Sequence, residues 1–204
     1  MKLGVLFFVV GLGLVDSLIA DDSAVRLDVT TTVDADGAYR TVGRMALPFP
    51  PGPVARQMTD FDHYAVWAPR GQDGQDPGSA SYIGQLIGVR TRPGILDLIY
   101  RINMVWPFGS SGQAIPLAVQ VTTGPDGSPT VHFALQEPSF VVPIFEGKFS
   151  LVPGEGMSEV ELDCRLKMAW FLQPFFPLDA YRIHVVKRLE TALRSFAADL
   201  VPVP

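Results

Sequence analysis

The chain has 204 residues, 48% of them hydrophobic, and a formal net charge of −5. That suits one globular domain with a sizeable core. With no basic run anywhere, the sequence excludes nucleic acid as a partner, because phosphates require a Lys/Arg stripe, and it excludes electrostatic adhesion to anionic lipid, though not apolar contact with a membrane.

Residues 1–20, MKLGVLFFVVGLGLVDSLIA, read as a secretory signal: Lys2 is the charged start, 3–15 the apolar stretch and Ala20 the small residue at a cleavage point. The run is too short to span a hydrocarbon layer of about 30 Å. Cleavage after Ala20 gives a mature domain at 21–204, exported to the periplasm or the cell exterior. Leu18 departs from a small-x-small site, so an uncleaved anchor stays open as the alternative.

Residues 25–47 alternate around Asp36-Gly37 and predict a hairpin. The segment 48–69 predicts two short helices, over 53–59 and 61–67, and GQDGQDPGSAS is a polar loop. Strands are predicted over 81–90, 95–106, 115–123, 130–137, 144–152 and 159–170, joined by Gly/Pro/Asp turns short enough for an antiparallel meander. In the last of them, EVELDCRLKMAW, every odd position from Glu159 to Lys167 is charged and every even one is apolar, so one face meets water and the other an interior. Cys164, the only cysteine, lies on the apolar face; it can form no intramolecular disulfide and reads as a small buried hydrophobe rather than a nucleophile. In 177–200, Leu178, Tyr181, Val185, Leu189, Ala192, Leu193, Phe196 and Leu200 recur at spacings of three and four, predicting an amphipathic helix of about six turns.

Three stretches carry a family resemblance. MTDFDHYAVWAP (58–69) is similar to a helix end in Thr-Asp-Phe followed by Tyr and Trp-x-Pro. INMVWPFGSSGQ (102–113) is similar to a Trp-Pro turn, and FEGKFSLVPGEGMSEVELD (145–163) to a Gly-x-Phe hairpin closed by Pro-Gly. In this order they resemble the START-like superfamily, also called SRPBCC, helix-grip or polyketide cyclase-like, including its lipid-transfer domains. Ser110, Ser111 and Gly112 stand where the lipid carriers have an Arg-Asp pair. The resemblance implies an α+β helix-grip fold: a curved antiparallel sheet wrapped around a long C-terminal helix, with two short helices after the first strands. It also implies a hydrophobic ligand between sheet and helix.

Strand parity then gives the lining of that interior: Tyr100, Ile102, Met104 and Trp106; Leu117 and Val119; Phe133 and Leu135; Phe149; Cys164, Met168 and Trp170. The helix adds Tyr181, Val185 and Leu189. No acidic or basic side chain is among them, whereas Asp97, Arg101, His132, Glu146 and Lys148 fall on the outward phase, so no catalytic residue, metal or cofactor is expected. Apolar walls with Met suit a bulky lipid, but periodicity does not distinguish a hollow interior from a filled one. Three loops are rich in Pro and Phe: 46–54, 139–145 (Phe140, Val141, Val142, Pro143, Phe145) and 171–178 (Phe175, Phe176). They are open to two readings: gate loops with an apolar lip for transient membrane contact, or caps on the ends of the core. The expected protein is a monomeric, exported carrier of a hydrophobic molecule or lipid. The alternatives are a cyclase- or hydrolase-type enzyme on the same fold and a cavity-free envelope interaction module.

Overall fold

The computed structural model describes residues 26–70, 85–103, 110–138, 142–171, 173–175, 177–182 and 186–200. Eight strands, β1 (Arg26–Val33), β2 (Tyr39–Leu47), β3 (Gln85–Arg92), β4 (Ile95–Asn103), β5 (Ser110–Thr123), β6 (Pro129–Leu135), β7 (Ile144–Pro153) and β8 (Ser158–Lys167), form one sheet in the order β1-β2-β8-β7-β6-β5-β4-β3. Neighbours are antiparallel throughout. The chain therefore makes one hairpin, then a six-stranded meander whose last strand returns to pair with the first hairpin. Gly37 (φ 80°) and Gly127 (φ 82°) stand at predicted turns, in a backbone region that an L side chain resists.

The predicted alternation is visible as burial. In β2, Tyr39, Thr41, Gly43, Met45 and Leu47 face inward; in β8, Ser158, Val160, Leu162 and Cys164 do. The outward face is ion-paired. Arg40 holds Asp163 through two bonds of 2.7 and 3.0 Å, and Arg165 reaches Asp34 (2.8 Å), Asp36 (2.5 Å) and Glu146 (3.4 Å). Asp97 is only 5% exposed, which outward phase alone did not suggest; Arg92 covers it, with contacts of 2.6 and 2.9 Å.

Arg92 holds the Asp97 carboxyl below its usual 3.8, and Arg40 does the same for Asp163. A carboxylate depressed in the fold contributes stability above its unfolded pKa and loses it as pH falls through the folded one. Acid titration should therefore destabilise the protein progressively below pH 3.8. Asp97→Asn, followed by thermal melts from pH 7 to 2.5, is expected to lower stability at neutral pH and flatten the acid loss.

Three helical segments sit on the inward face. Pro51 opens α1 (Pro51–Thr59), its fixed φ suiting a first turn, and Val54 and Met58, both 0% exposed, seat that helix on the ends of β6 and β7. The short α2 (Tyr64–Trp67) buries Tyr64 and Trp67. The C-terminal helix is not one uninterrupted α-helix as its periodicity predicts. It comprises α3 (Leu178–Tyr181) and α4 (Lys187–Asp199), with π-type turns at Arg182 and Val186. Phe196, 0% exposed, lies edge-on to Trp67 (centroids 5.2 Å apart) and to Phe149 (5.5 Å), so it joins α4, α2 and the sheet. Gln57 Nε2 donates to the Phe196 carbonyl at 2.8 Å, tying α1 to α4.

The apolar loop at 46–54 closes one end of this core: Leu47 is 0% exposed, Phe49 packs on the core, and Ser158 Oγ donates to the Phe49 carbonyl at 2.8 Å.

Candidate functional site

Burial along the inward face is graded. Where α1 and α4 cover it, Leu117, Val131, Phe149, Leu151, Val160 and Leu162 are at most 7% exposed. Toward β4–β7, Leu98, Ile115, Val119, Phe133, Leu135 and Phe145 pack against that core yet are only partly buried, and Leu189 approaches from α4 in the same state. Phe133 and Phe145 meet at 5.5 Å with tilted rings. This incompletely covered, wholly apolar patch between the sheet and the C-terminal helix is the candidate site.

One cross-strand row organises it. Ladder pairing aligns Thr31, Thr41, Cys164, Gly147, Phe133 and Val119 across β1, β2, β8, β7, β6 and β5. Gly147 permits a close approach of its neighbours. A Cβ there would lie 2.4 Å from the Asp163 carbonyl oxygen, 2.7 Å from Phe133 Cζ and 2.8 Å from Cys164 Cα. The missing side chain thus lets β8 approach and the Phe133 ring lie over the β7 backbone.

Leu117, Phe149, Cys164, Tyr181 and Met168 are buried, at most 9% exposed, and Val119, Phe133, Leu135 and Leu189 are the partly covered set. Tyr100 and Ile102 lie in β4, but their side chains are outside the described residues. Met104, Trp106 and Val185 are outside them altogether.

Trp170 corrects the sequence reading: it is 81% exposed and belongs to no strand. Alternation continues through residue 170, but the ladders stop earlier. Leu166 pairs with Tyr39 just after the first turn, and Lys167 pairs with Ile144 just after Pro143, which has no N–H to extend the pairing. The chain turns there instead, with Gln173 N donating to the Ala169 carbonyl. Of the proposed gate residues, Val142, Pro143 and Phe145 are partly buried, Phe140, Val141 and Phe176 lie outside the described residues, and for Phe175 only the backbone is described.

Cys164 is 8% exposed, and burial, with the neighbouring Asp163 charge, pushes its thiol up to about 12. A thiol with that pKa is a poor nucleophile. We expect no labelling by iodoacetamide in the folded protein at pH 8 and complete labelling in denaturant, read by intact mass.

The outward face has a separate feature, an open groove of about 760 Å³ floored by Ala118 and Ala134 and walled by side chains including His132, Lys148 and Arg165. His132, Glu146 and Lys148 therefore sit where their phase places them, across the sheet from the apolar patch.

Sequence reasoning placed Tyr181 inside but missed the two threonines joined to it. Thr31 (5% exposed), Thr41 (1%) and Tyr181 (1%) are linked, with Thr31 Oγ1 3.1 Å from Thr41 Oγ1 and the latter 3.2 Å from Tyr181 Oη. Tyr181 also stacks on Tyr39, with centroids 4.2 Å apart. Burial raises the Tyr181 pKa, so its hydroxyl keeps its proton at neutral pH. The available signal was parity in β2, where Thr41 shares the phase of Tyr39, Gly43 and Met45.

No protein-family model matches the chain, and no curated protein matches its sequence. Solved structures do match it. A START superfamily protein from Mycobacterium smegmatis is 16% identical, with a TM-score of 0.52 over 79% of this chain and 96% of its own. Human STARD10 is 8% identical, with a TM-score of 0.50 over 82% of this chain and 72% of its own. At these identities the likeness is one of fold: the chain has the START-like helix-grip fold.

Proposed function

We propose that this protein is an exported carrier that holds a hydrophobic molecule, a lipid, between its sheet and C-terminal helix. The observation that supports this most is the graded inward face, where six apolar side chains from β4–β7 stay partly uncovered beside a closed core. Surface of that kind gains roughly 25 cal/mol for every Å² that a ligand removes from water. Export is supported by the charged, apolar and small-residue order of residues 1–20.

Phe133 is the residue to change, because it is partly accessible and lies over Gly147 at the centre of the patch. Phe133→Asp would put an unpaired charge against the ligand, which is unfavourable by several kcal/mol. We expect at least a hundredfold loss of affinity for a fluorescent acyl probe, with a far-ultraviolet circular dichroism spectrum like that of the wild type. Unchanged uptake by the folded variant would remove this patch from the binding site.

A further inference from the structure

A large aromatic side chain left 81% exposed, as Trp170 is, gains from an apolar covering. It is the most exposed of the large apolar residues described, well above Met157 at 51%. The Phe171 ring stands edge-on to it, with centroids 6.0 Å apart, so the two make one aromatic knob just past the end of β8. Pro174 and Pro177, exposed in the same loop, extend its apolar surface. An indole with its apolar body outward and an N–H at its rim is a side chain that settles at the head-group level of a bilayer.

The knob stands at the uncovered end of the sheet. β8 ends at Lys167 beside Ile144, the first residue of β7, and Leu135 ends β6 on the same side. Phe145, in the candidate patch, is the cross-strand neighbour of Leu166. Trp170 lies four residues beyond Leu166, at most about 14 Å of chain. At the opposite end, near the β7–β8 turn, Leu47, Phe49 and α1 close the core.

The charges on the knob's side of the sheet cancel. Lys167 reaches Asp36 (3.4 Å), Arg165 bridges Asp34 and Asp36 (2.8 and 2.5 Å), and Arg182 stands 4.0 Å from Asp179. With a net charge of −5 on the whole chain, no excess of positive charge draws this end to anionic head groups.

We propose that Trp170, with Phe171, is the point at which the carrier seats on a lipid bilayer, and that the surface it fits is a zwitterionic one with no net charge. The indole enters the head-group layer and holds the uncovered end of the sheet toward the membrane, so that a ligand passes between bilayer and patch without crossing bulk water. A contact this small is reversible, as a carrier that must leave again requires. The inference rests on the proposed lipid-carrying function and adds its partner.

The test is partition of the exported protein onto vesicles of phosphatidylcholine alone, read by co-flotation. Burial of a side chain of this size corresponds to roughly a tenfold or greater gain in affinity. Trp170→Ala should lower the partition coefficient by about that factor, with an unchanged Tm and unchanged uptake of a fluorescent acyl probe in the absence of vesicles. The emission that the wild type has and the variant lacks should shift to the blue when vesicles are added. Met157→Ser, at the closed end, should partition as the wild type does. Replacing a third of the phosphatidylcholine by phosphatidylglycerol should not tighten binding. Absence of wild-type partition, an equal partition coefficient for Trp170→Ala, an equal loss for Met157→Ser, or tighter binding to the anionic mixture would each overturn docking through Trp170. Continued uptake of the acyl probe in those cases would leave lipid carriage standing. Partition that depends on Trp170 in a protein that takes up no probe would support the docking and overturn the carriage.

Discussion

Phe196→Ala should lower the stability of this domain by about 3–5 kcal/mol, the range for emptying a fully buried aromatic site. For a chain of this length that is a fall in Tm of about 6–20 °C. The size follows from position: Phe196 is 0% exposed, packs edge-on against Trp67 and Phe149, and joins two helices to the sheet. Its neighbours come from three elements and cannot all collapse into one cavity, which places the loss at the upper end. Differential scanning calorimetry measures it. A loss below about 1 kcal/mol would mean that α4 does not seat on the sheet through this ring.

Gly147→Ala is the second large effect, although it adds one methyl group. The new Cβ would lie 2.4 Å from the Asp163 carbonyl oxygen and 2.8 Å from Cys164 Cα, both backbone atoms held in the β7–β8 ladder. Neither can move without breaking pairing, so we expect a loss of about 3 kcal/mol or more, at or beyond the usual range for overpacking. Gly43→Ala is the matched control. It also lies in a strand and is buried, but its Cβ would meet nothing closer than Leu193 Cδ1 at 3.6 Å. We expect that change to cost less than about 1 kcal/mol. Urea denaturation of the pair gives the comparison, and equal losses would contradict the close approach of β8 to Gly147.

Both residues show what the sequence made legible and what it did not. Phe196 was readable, because helical spacing places it on the same stripe as Leu189 and Leu193. Turn chemistry and period-two alternation likewise gave the eight strands and their antiparallel order, since each is a local consequence of side-chain pattern. Gly147 was readable only as an inward-phase position; its importance comes from how closely β8 approaches, which no local pattern encodes. The end of β8 was misread for a related reason. Apolar and polar residues alternate to Trp170, but a strand needs partners, and those are lost after Lys167 where Pro143 and the first turn begin.

For the candidate site, parity located Phe133, Leu135 and Val119, but which of the inward residues remain uncovered depends on where α1 and α4 come to rest. The hydroxyl chain joins Thr31, Thr41 and Tyr181 across separations of 10 and 140 residues. Threonine in a strand more often signals an exposed position, so only the assembled sheet reveals that these two face inward.

The central claim is that the uncovered apolar patch holds a lipid. Native mass spectrometry of the protein purified without detergent, followed by organic extraction, tests it most directly. The account predicts a chain beginning at Asp21 that carries one lipid per molecule, released by the solvent and identifiable by class. A bare chain mass that persists after incubation with lipid vesicles would contradict it and favour a filled interior acting as an interaction module.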